Sequence, residues 1–194
     1  MGKIYYLMGK SASGKDTIYK RLLAECPNLR PMVPYTTRPM REGEEEGVEY
    51  HFISRKELEE YRQLNKVIEV RTYDTSAGPW SYATIDGGYI KKEKWDYLTI
   101  GTLESYEKLR DYFDRDMVIP LYLETDDGIR LERALLRERS QKKPNYVEMC
   151  RRFLADENDF SLEKLKSCGI NKIYQNICLD SCLGQIKSDM KAME

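Results

Sequence analysis

The sequence predicts an α/β fold in which helices flank a mostly parallel β-sheet. Short apolar runs that are typical of buried strands alternate with helix-forming segments at both ends of the chain. A denser group of strand signals between residues 32 and 86 indicates a small β-rich insert on that core. The chain has 194 residues and no repeat or low-complexity linker, so we expect one domain.

The first half of the chain begins with a buried strand over residues 4–8. A turn of small residues over 9–14 leads into a helix over 15–25, which Pro27 prevents from continuing. A short strand is expected over 32–35, a charged loop over 38–47 and another strand over 50–53. Ser54 and Glu57 form a capping box, because each side chain can accept the other residue's free amide at a helix start.

The second half continues the alternation of strands and helices. We expect strands over 67–73, 80–85, 97–100, 118–123 and 171–177, with helical segments after the strands at 100 and 123. Asp180 is expected to cap a last helix. Four apolar side chains recur at helical spacing along that helix: Leu183, Ile186, Met190 and Met193.

Composition and charge exclude several classes of protein. Lys and Arg number 32 against 33 Asp and Glu, and 41% of the residues are hydrophobic. That composition excludes a disordered chain, and the net charge of −1 argues against a partner such as a nucleic acid polymer or an anionic membrane. No segment approaches the roughly 20 apolar residues of a spanning helix, and the N-terminus lacks a signal-peptide pattern. We therefore expect a cytoplasmic protein.

Cysteine and histidine are too sparse for most metal chemistry. The five cysteines form no CxxC pair, and His51 is the single histidine. A zinc site, a disulfide framework and a histidine-based catalytic triad are therefore not expected. We expect no metal ion caged by the protein's own side chains.

The strongest chemical signal is the loop between the first strand and the first helix. Glycines at this spacing let backbone amides point into one concavity, and the helix N-terminus makes that concavity more positive. Lys15 would lie against the β- and γ-phosphates of a nucleotide. Asp16 stands where such loops usually have Ser or Thr, and the hydroxyl is displaced to Thr17. The alternative is a glycine-rich turn that only caps a helix. The predicted phosphate-binding residues are Gly9, Ser11, Ala12, Ser13, Gly14, Lys15, Asp16 and Thr17.

A second group of anion-binding side chains follows the strand at 32–35. Arg38 and Arg41 lie close together, and two guanidinium groups can hold one phosphate monoester through forked hydrogen bonds. Tyr50 could add a neutral donor to the same phosphate. Taken alone, these residues fit a solvated charged loop better than a phosphate site, because four glutamates between 42 and 46 could neutralise the arginines.

Together, the two groups resemble the guanylate kinase family across nearly the full chain. The first loop resembles the family's GxSGxGKxT, and residues 36–44 match its TTRxxRxGE. Residues 47–52 match its G-x-x-Y-x-F. The resemblance implies a single domain over 1–194 with a P-loop kinase core at about 1–31, 87–125 and 158–194. It also implies a monophosphate-binding insert at about 32–86 and a helical lid at about 126–157.

The resemblance assigns a GMP site to the insert. It implies that Arg38, Arg41 and Tyr50 hold the phosphate of GMP, and that Glu69 accepts the N1 and N2 hydrogens of guanine. Without the resemblance, Glu69 could equally be an exposed acid on an edge strand. Tyr82 is implied at the phosphate, with two further residues near the base, Tyr35 and Thr84. Ala83 replaces the glycine that the family has between Tyr82 and Thr84.

The resemblance also assigns residues to the ATP side of the reaction. Arg133, Arg137 and Arg152 match lid arginines that close over the phosphates and screen the charge on the transferred group. For Arg130, an exposed position in salt bridges on an amphipathic helix is the better expectation. Asn176 is implied near the adenine of ATP, although a turn residue at the end of a strand is an equal alternative.

Two departures from the family pattern concern the metal and the base. The family's strand ends in Leu-Asp-x-Asp, whereas this chain has Leu98-Thr99-Ile100-Gly101 and lacks both carboxylates. Tyr35 is taken to replace a serine that touches guanine, in a context similar to the guanylate-kinase-like modules of scaffold proteins.

These implications lead to one main functional expectation and two alternatives. The main one is phosphorylation of a nucleoside monophosphate by ATP, most plausibly GMP to GDP, with Mg²⁺ accompanying the ATP. The first alternative is a kinase for another nucleotide or phosphorylated small molecule. The second is a non-catalytic module that binds a phosphorylated peptide. The oligomeric state is left open.

Overall fold

The computed structural model describes residues 2–41, 43–75, 78–88, 90 and 94–193. Residue 42, within the loop predicted at 38–47, therefore lies outside the described residues. In chain order the elements are β1 (Ile4–Gly9), α1 (Lys15–Glu25), β2 (Leu29–Pro31), β3 (Tyr35–Thr36), β4 (His51–Phe52), α2 (Arg55–Gln63), β5 (Val67–Thr75), β6 (Gly78–Ile85), β7 (Asp96–Ile100), α3 (Leu103–Tyr112), β8 (Val118–Glu124), α4 (Asp127–Arg139), α5 (Tyr146–Asp159), α6 (Leu162–Ser167), β9 (Ile173–Gln175) and α7 (Leu179–Ala192).

A five-stranded parallel sheet forms the centre of the molecule. Its strand order is β2-β7-β1-β8-β9, and every neighbouring pair is parallel. The carboxyl ends of parallel strands meet at one edge, so the segments that follow β1, β7, β8 and β9 lie together. The predicted α/β fold with a mostly parallel sheet is confirmed.

Helices cover both faces of this sheet, and β1 supplies side chains to both. Tyr6 and Met8 point into a cluster with α3, whereas Tyr5 and Leu7 point into a cluster with α1 and α7. Because successive side chains on a strand alternate in direction, a strand covered on both sides has to be apolar throughout. That is why residues 4–8 appear in the sequence as one continuous apolar run.

A second, four-stranded sheet is built by residues 35–85. Its order is β4-β3-β6-β5, with β3 and β4 parallel and the remaining pairs antiparallel. Helix α2 begins with the predicted capping box, in which Glu57 N donates to Ser54 Oγ and Ser54 N donates to Glu57 Oε2. One face of this sheet packs on α2 through a small apolar cluster of Tyr35, Leu58, Ala83 and Ile85.

Three predicted boundaries are wrong. The strand expected over 32–35 is absent, because Leu29–Pro31 joins the first sheet, Tyr35–Thr36 joins the second, and the residues between them link the two sheets. The strand expected over 171–177 is confined to Ile173–Gln175. Asp180 lies in the first turn of α7, whose N-cap is Cys178. A carboxylate in the first turn still interacts favourably with the helix dipole. The helix therefore begins two residues earlier than predicted, and Asp180 lies inside it rather than at its cap.

None of the described helices could cross a bilayer, because none combines the necessary length with a sufficiently apolar sequence.

Candidate functional site

The loop between β1 and α1 has a backbone that only small residues allow. Gly9 and Gly14 have φ angles of 152° and 91°, and Ala12 has a φ of 61°. A β-carbon on Gly9 would overlap the carbonyl oxygen of Leu123 on the neighbouring strand β8. Gly14 is the N-cap of α1 and has no side chain to cap it, so the first amides of the helix remain available to an anion.

Two buried side chains from neighbouring strand ends hold this loop. Asn176 Nδ2 and Thr125 Oγ1 both donate to the carbonyl oxygen of Ser13, at 2.8 and 3.1 Å. Asn176 follows β9 and is 3% exposed, so its amide faces the loop rather than an open adenine pocket. Ser13 Oγ is buried without a hydrogen-bond partner among the described residues. The loop is therefore fixed in shape before any ligand binds.

The ammonium group of Lys15 is folded back over the loop. Its Nζ donates to the carbonyl oxygens of Gly9 and Lys10, at 2.7 and 2.8 Å. Burial lowers the pKa of Lys15 to about 8, against the opposing influence of the Asp16 and Asp156 carboxylates. Asp16 itself is exposed, as is Thr17. The loop thus holds a poorly solvated cation that an anion in the concavity would stabilise.

A network of charged groups around the buried Arg130 joins the loop to helices α4 and α5. Ser11 N donates to Asp156 Oδ2 at 2.7 Å, and Lys10 Nζ lies 2.6 Å from Glu157 Oε1. The Arg130 side chain is fully buried between these groups, donating to the Ser11 carbonyl oxygen at 3.0 Å and to Asp156 at 3.1 Å. The expectation of an exposed Arg130 is wrong, because tertiary contacts with α5 cover this face of α4.

The three predicted lid arginines are at different distances from the loop. Arg152 Nη2 donates to Ser11 Oγ at 3.3 Å. Arg133 Nη1 lies 3.8 Å from the position that a β-carbon on Gly14 would take. Arg137 is exposed in the last turn of α4 and does not reach the loop through any described contact. The structure therefore brings Arg133 and Arg152 to the loop.

A cavity of about 340 Å³ opens beside the loop at the carboxyl edge of the sheet. Lys10 lines one side, Asp126 and Asp127 line another, and Gln175 and Ile177 follow β9. Ile177 is 72% exposed, so it offers an uncovered apolar surface beside the loop between β1 and α1. The position and size of this cavity suit a nucleoside attached to phosphates in the loop.

The second group of predicted residues lies on the four-stranded sheet. Arg38 is 4% exposed, and its Nη1 and Nη2 donate to the two oxygens of Glu44 at 2.7 and 2.5 Å. Arg41 is exposed, and its backbone amide donates to the same carboxylate at 2.8 Å. The Arg41 guanidinium has no partner among the described residues. Glu44 thus fixes the loop so that Arg41 remains free to bind an anion.

Aromatic rings form the wall beside Arg38. Its guanidinium lies 5.0 Å from the centre of the Tyr50 ring, and Tyr50 meets Tyr82 edge to face at 5.6 Å. Burial raises the pKa of Tyr50, so its hydroxyl stays a neutral donor at physiological pH. The structure therefore brings Arg38, Arg41, Tyr50 and Tyr82 together.

A buried carboxylate marks the far end of this pocket. Glu69 is 6% exposed, which excludes the alternative of an exposed acid on an edge strand. Thr84 Oγ1 donates to Glu69 Oε1 at 2.9 Å. Tyr35 points to the opposite face of the sheet, where it packs in the apolar cluster with Leu58. The structure therefore joins Thr84 to Glu69 and separates Tyr35 from them.

Sequence reasoning missed Arg71, which bridges the insert and the core. Its Nε donates to Glu69 Oε2 at 3.0 Å and its Nη1 to Thr102 Oγ1 at 3.0 Å. Thr102 comes just after β7, which pairs directly with β1. Glu69 and Arg71 therefore lie near the same sheet edge as the loop. The spacing of Glu69 and Arg71, two positions apart on a strand, was the signal that could have placed them on one face.

Sequence reasoning also missed the acids of the charged network around Arg130. Asp156 and Glu157 lie on α5 about 145 positions from the loop that they contact. No local pattern identifies such partners, because nothing in a helical sequence says which residue of another segment it will meet.

Comparison with known proteins agrees with this geometry. A family model described as guanylate kinase matches residues 1–87. Over 58 residues the chain is 50% identical to the guanylate kinase of Neisseria gonorrhoeae, a match that covers 30% of this chain and 28% of that protein. The guanylate kinase of Helicobacter hepaticus is 30% identical over 143 residues, which are 71% of this chain and 65% of that protein.

A solved structure extends the likeness of the fold to the whole chain. The crystal structure of guanylate kinase from Anaplasma phagocytophilum superimposes with a TM-score of 0.65, covers 98% of this chain and 85% of that one, and shares 18% of its residues. The family-model match lies in the first half of the chain, which contains both groups of predicted phosphate-binding residues. The family model, the related sequences and the solved structure to which this chain is similar are all guanylate kinases.

Proposed function

We propose that this protein transfers the γ-phosphoryl group of ATP to the phosphate of GMP, producing ADP and GDP. The observation that carries the proposal is the pairing of two different groups of anion-binding residues near one sheet edge. One consists of backbone amides and the Lys15 ammonium, and the other is the group of Arg38, Arg41, Tyr50 and Tyr82, in which the two tyrosine rings are in contact. A kinase needs both, because two phosphate groups must meet in line.

The triphosphate would bind in the loop between β1 and α1. The uncapped amides of α1 face the phosphates, and the partly desolvated Lys15 exchanges its carbonyl partners for phosphate oxygens. Arg133 and Arg152 lie close enough to the loop to screen charge on the transferred group. The nucleoside would occupy the cavity beside Ile177.

The monophosphate would bind in the pocket of the second sheet. Arg41 and the two tyrosine hydroxyls supply donors to its phosphate, while Arg38 maintains the loop through Glu44. The buried Glu69 accepts a hydrogen bond from the base. No general base is required, because the acceptor phosphate is already an anionic nucleophile. Catalysis is then alignment and charge neutralisation.

Mg²⁺ fits this site as a companion of the nucleotide. The described residues contain no group of three acidic, histidine or cysteine side chains that could hold a metal ion. Mg²⁺ is commonly held by substrate phosphates and water with only one or two protein ligands, and the exposed Asp16 and Thr17 are oxygen donors at the loop. When bound, the ion would neutralise charge on the β- and γ-phosphates.

Turnover by the Lys15→Ala variant tests the proposal. The purified full chain is mixed with Mg²⁺ and ATP, and ADP production is followed with GMP, AMP, CMP and UMP as acceptors. We expect GMP-dependent turnover in the wild-type protein. In the variant the rate should fall at least about 100-fold, because the positive charge that stabilises the transferred phosphoryl group is removed.

Lys20→Ala, an exposed position on the same helix, is the matched control and should leave the rate unchanged. Near-normal turnover by Lys15→Ala would contradict the mechanism. If the wild-type protein produced no ADP with any monophosphate and gained no thermal stability from ATP, the binding-module alternative would replace it.

A further inference from the structure

Most hydrogen-bond acceptor positions of the Glu69 carboxylate are already used by donors of the protein itself. Thr84 Oγ1 and Arg71 Nη2 both donate to Glu69 Oε1, at 2.9 and 3.4 Å. Arg71 Nε donates to Oε2 at 3.0 Å. A carboxylate oxygen has about two lone-pair positions, so Oε1 has both in use and Oε2 has one left. Glu69 can therefore accept one further hydrogen bond without losing a protein partner.

The residues that follow β7, Gly101 and Thr102, supply no second carboxylate that could accept hydrogen bonds from the base. A β-carbon at Gly101 would overlap the hydroxyl of Tyr6, which lies 2.5 Å from Ser105 Oγ. Any side chain at position 101 is therefore sterically excluded. Thr102 Oγ1 is also engaged, because it accepts from Arg71 Nη1 at 3.0 Å and from Ser105 N. Beside Glu69, the hydroxyl groups of Tyr6 and Thr102 and the guanidinium of Arg71 thus lie where a second carboxylate would be needed.

Guanine and hypoxanthine differ in one hydrogen-bonding group. Both present N1–H next to a C6 carbonyl, and guanine adds the 2-amino group. A site discriminates strongly against an analogue only where its own buried polar groups lose their partner. Since one acceptor position of Glu69 remains, N1–H can fill it with either base, and the missing 2-amino group leaves nothing unpaired on Glu69.

We infer that Arg71 is a specificity-determining residue that makes this protein a kinase for 6-oxopurine monophosphates, with IMP accepted nearly as well as GMP. The inference rests on the proposed function and deepens it. In the added reaction, a phosphate oxygen of IMP forms a bond to the γ-phosphorus of ATP, the bond between that phosphorus and the bridging β–γ oxygen breaks, and the products are ADP and IDP.

The test compares kcat/KM for GMP and IMP in the wild-type protein and in Arg71→Met. We expect a ratio of GMP to IMP within about fivefold in the wild-type protein. Arg71→Met frees two acceptor positions on Glu69, so the 2-amino group gains a charged acceptor and the ratio should rise about tenfold or more. Arg62→Met, an exposed arginine on α2, is the matched control and should leave the ratio unchanged.

Direct binding of GMP and IMP, measured by calorimetry, distinguishes failure of the proposed kinase activity from failure of the base specificity assigned to Arg71. Similar dissociation constants without ADP production would contradict the proposed function, and with it the kinase activity toward IMP, and would support only the binding specificity assigned to Arg71. Turnover with GMP preferred by 100-fold or more in the wild-type protein would overturn the inference alone. An equal loss for both nucleotides in Arg71→Met would assign Arg71 a purely structural role and overturn it as well, as would binding of neither nucleotide.

Discussion

At the scale of single residues, the charge of Lys15 is unfavourable for folding but suited to binding an anion. Its side chain is partly buried and its ammonium donates to two backbone carbonyl oxygens, with no carboxylate in hydrogen-bond contact among the described residues. The burial that lowers its pKa to about 8 also makes its charged form unfavourable in the folded protein. Such a group stabilises a bound anion and destabilises the free protein.

Replacing Lys15 by Met should therefore stabilise the free protein at pH 7 while abolishing turnover. The fall of the Lys15 pKa from 10.5 to about 8 sets an upper limit of about 3 kcal/mol, and the two carbonyl groups left without a partner reduce it. The cost of the charge is fully present below pH 8 and is relieved as the pH rises toward 10.5.

Urea unfolding of the wild-type protein and Lys15→Met at pH 7 and pH 10 measures this difference. We expect an advantage of about 1–3 kcal/mol for the variant at pH 7 and a smaller one at pH 10. Lys20→Met on the same helix should show no such dependence. A variant that is less stable at pH 7 would show that the hydrogen bonds of the ammonium outweigh its desolvation.

At the scale of elements, the local signals in the sequence are those that the structure reproduces. Helix α1 spans the predicted 15–25, and the capping box starts α2 as predicted. Both depend on neighbouring residues: a proline that ends a helix, and a hydroxyl and a carboxylate three positions apart. The short strands β2 and β3 were misplaced, because which of two sheets accepts a residue depends on a distant partner strand.

Removing the cap of α2 should weaken a helix that packs on the four-stranded sheet. Ser54→Ala leaves Glu57 N without its acceptor, and such caps contribute about 1 kcal/mol. Equilibrium unfolding in urea should show that loss, with Lys56→Ala on the same helix as the control. A change below about 0.3 kcal/mol would mean that water replaces the cap at this exposed helix end.

At the scale of the whole molecule, Arg130 connects the loop between β1 and α1 to the helices that follow β8. Its side chain is fully buried against three acids, Asp127, Asp156 and Glu157. The ring of Phe153 covers it at 4.6 Å. Removing one partner of such a buried group leaves uncompensated charge, which is far more costly than losing a surface ion pair. Helices α4 and α5 and the loop are thus energetically coupled.

Arg130→Met should therefore destabilise the protein by about 3–5 kcal/mol and expose α5. Hydrogen exchange followed by mass spectrometry should show faster exchange over residues 146–159, while strand β1 keeps its protection. Arg139→Met, an exposed position on the same helix, is the control. Unchanged exchange over α5 would contradict a coupling through Arg130.

The sequence by itself determined the α/β class and the position of the glycine-containing loop from Gly9 to Lys15 before α1, since each depends on residues close together in the chain. The tertiary structure alone decided that Arg130 is buried, that Asn176 braces the loop and that Tyr35 faces away from Glu69. It also brought Arg71 to Thr102. The physical reason is that burial and side-chain direction depend on which distant segments pack together, and a shift of one residue along a strand reverses every side chain.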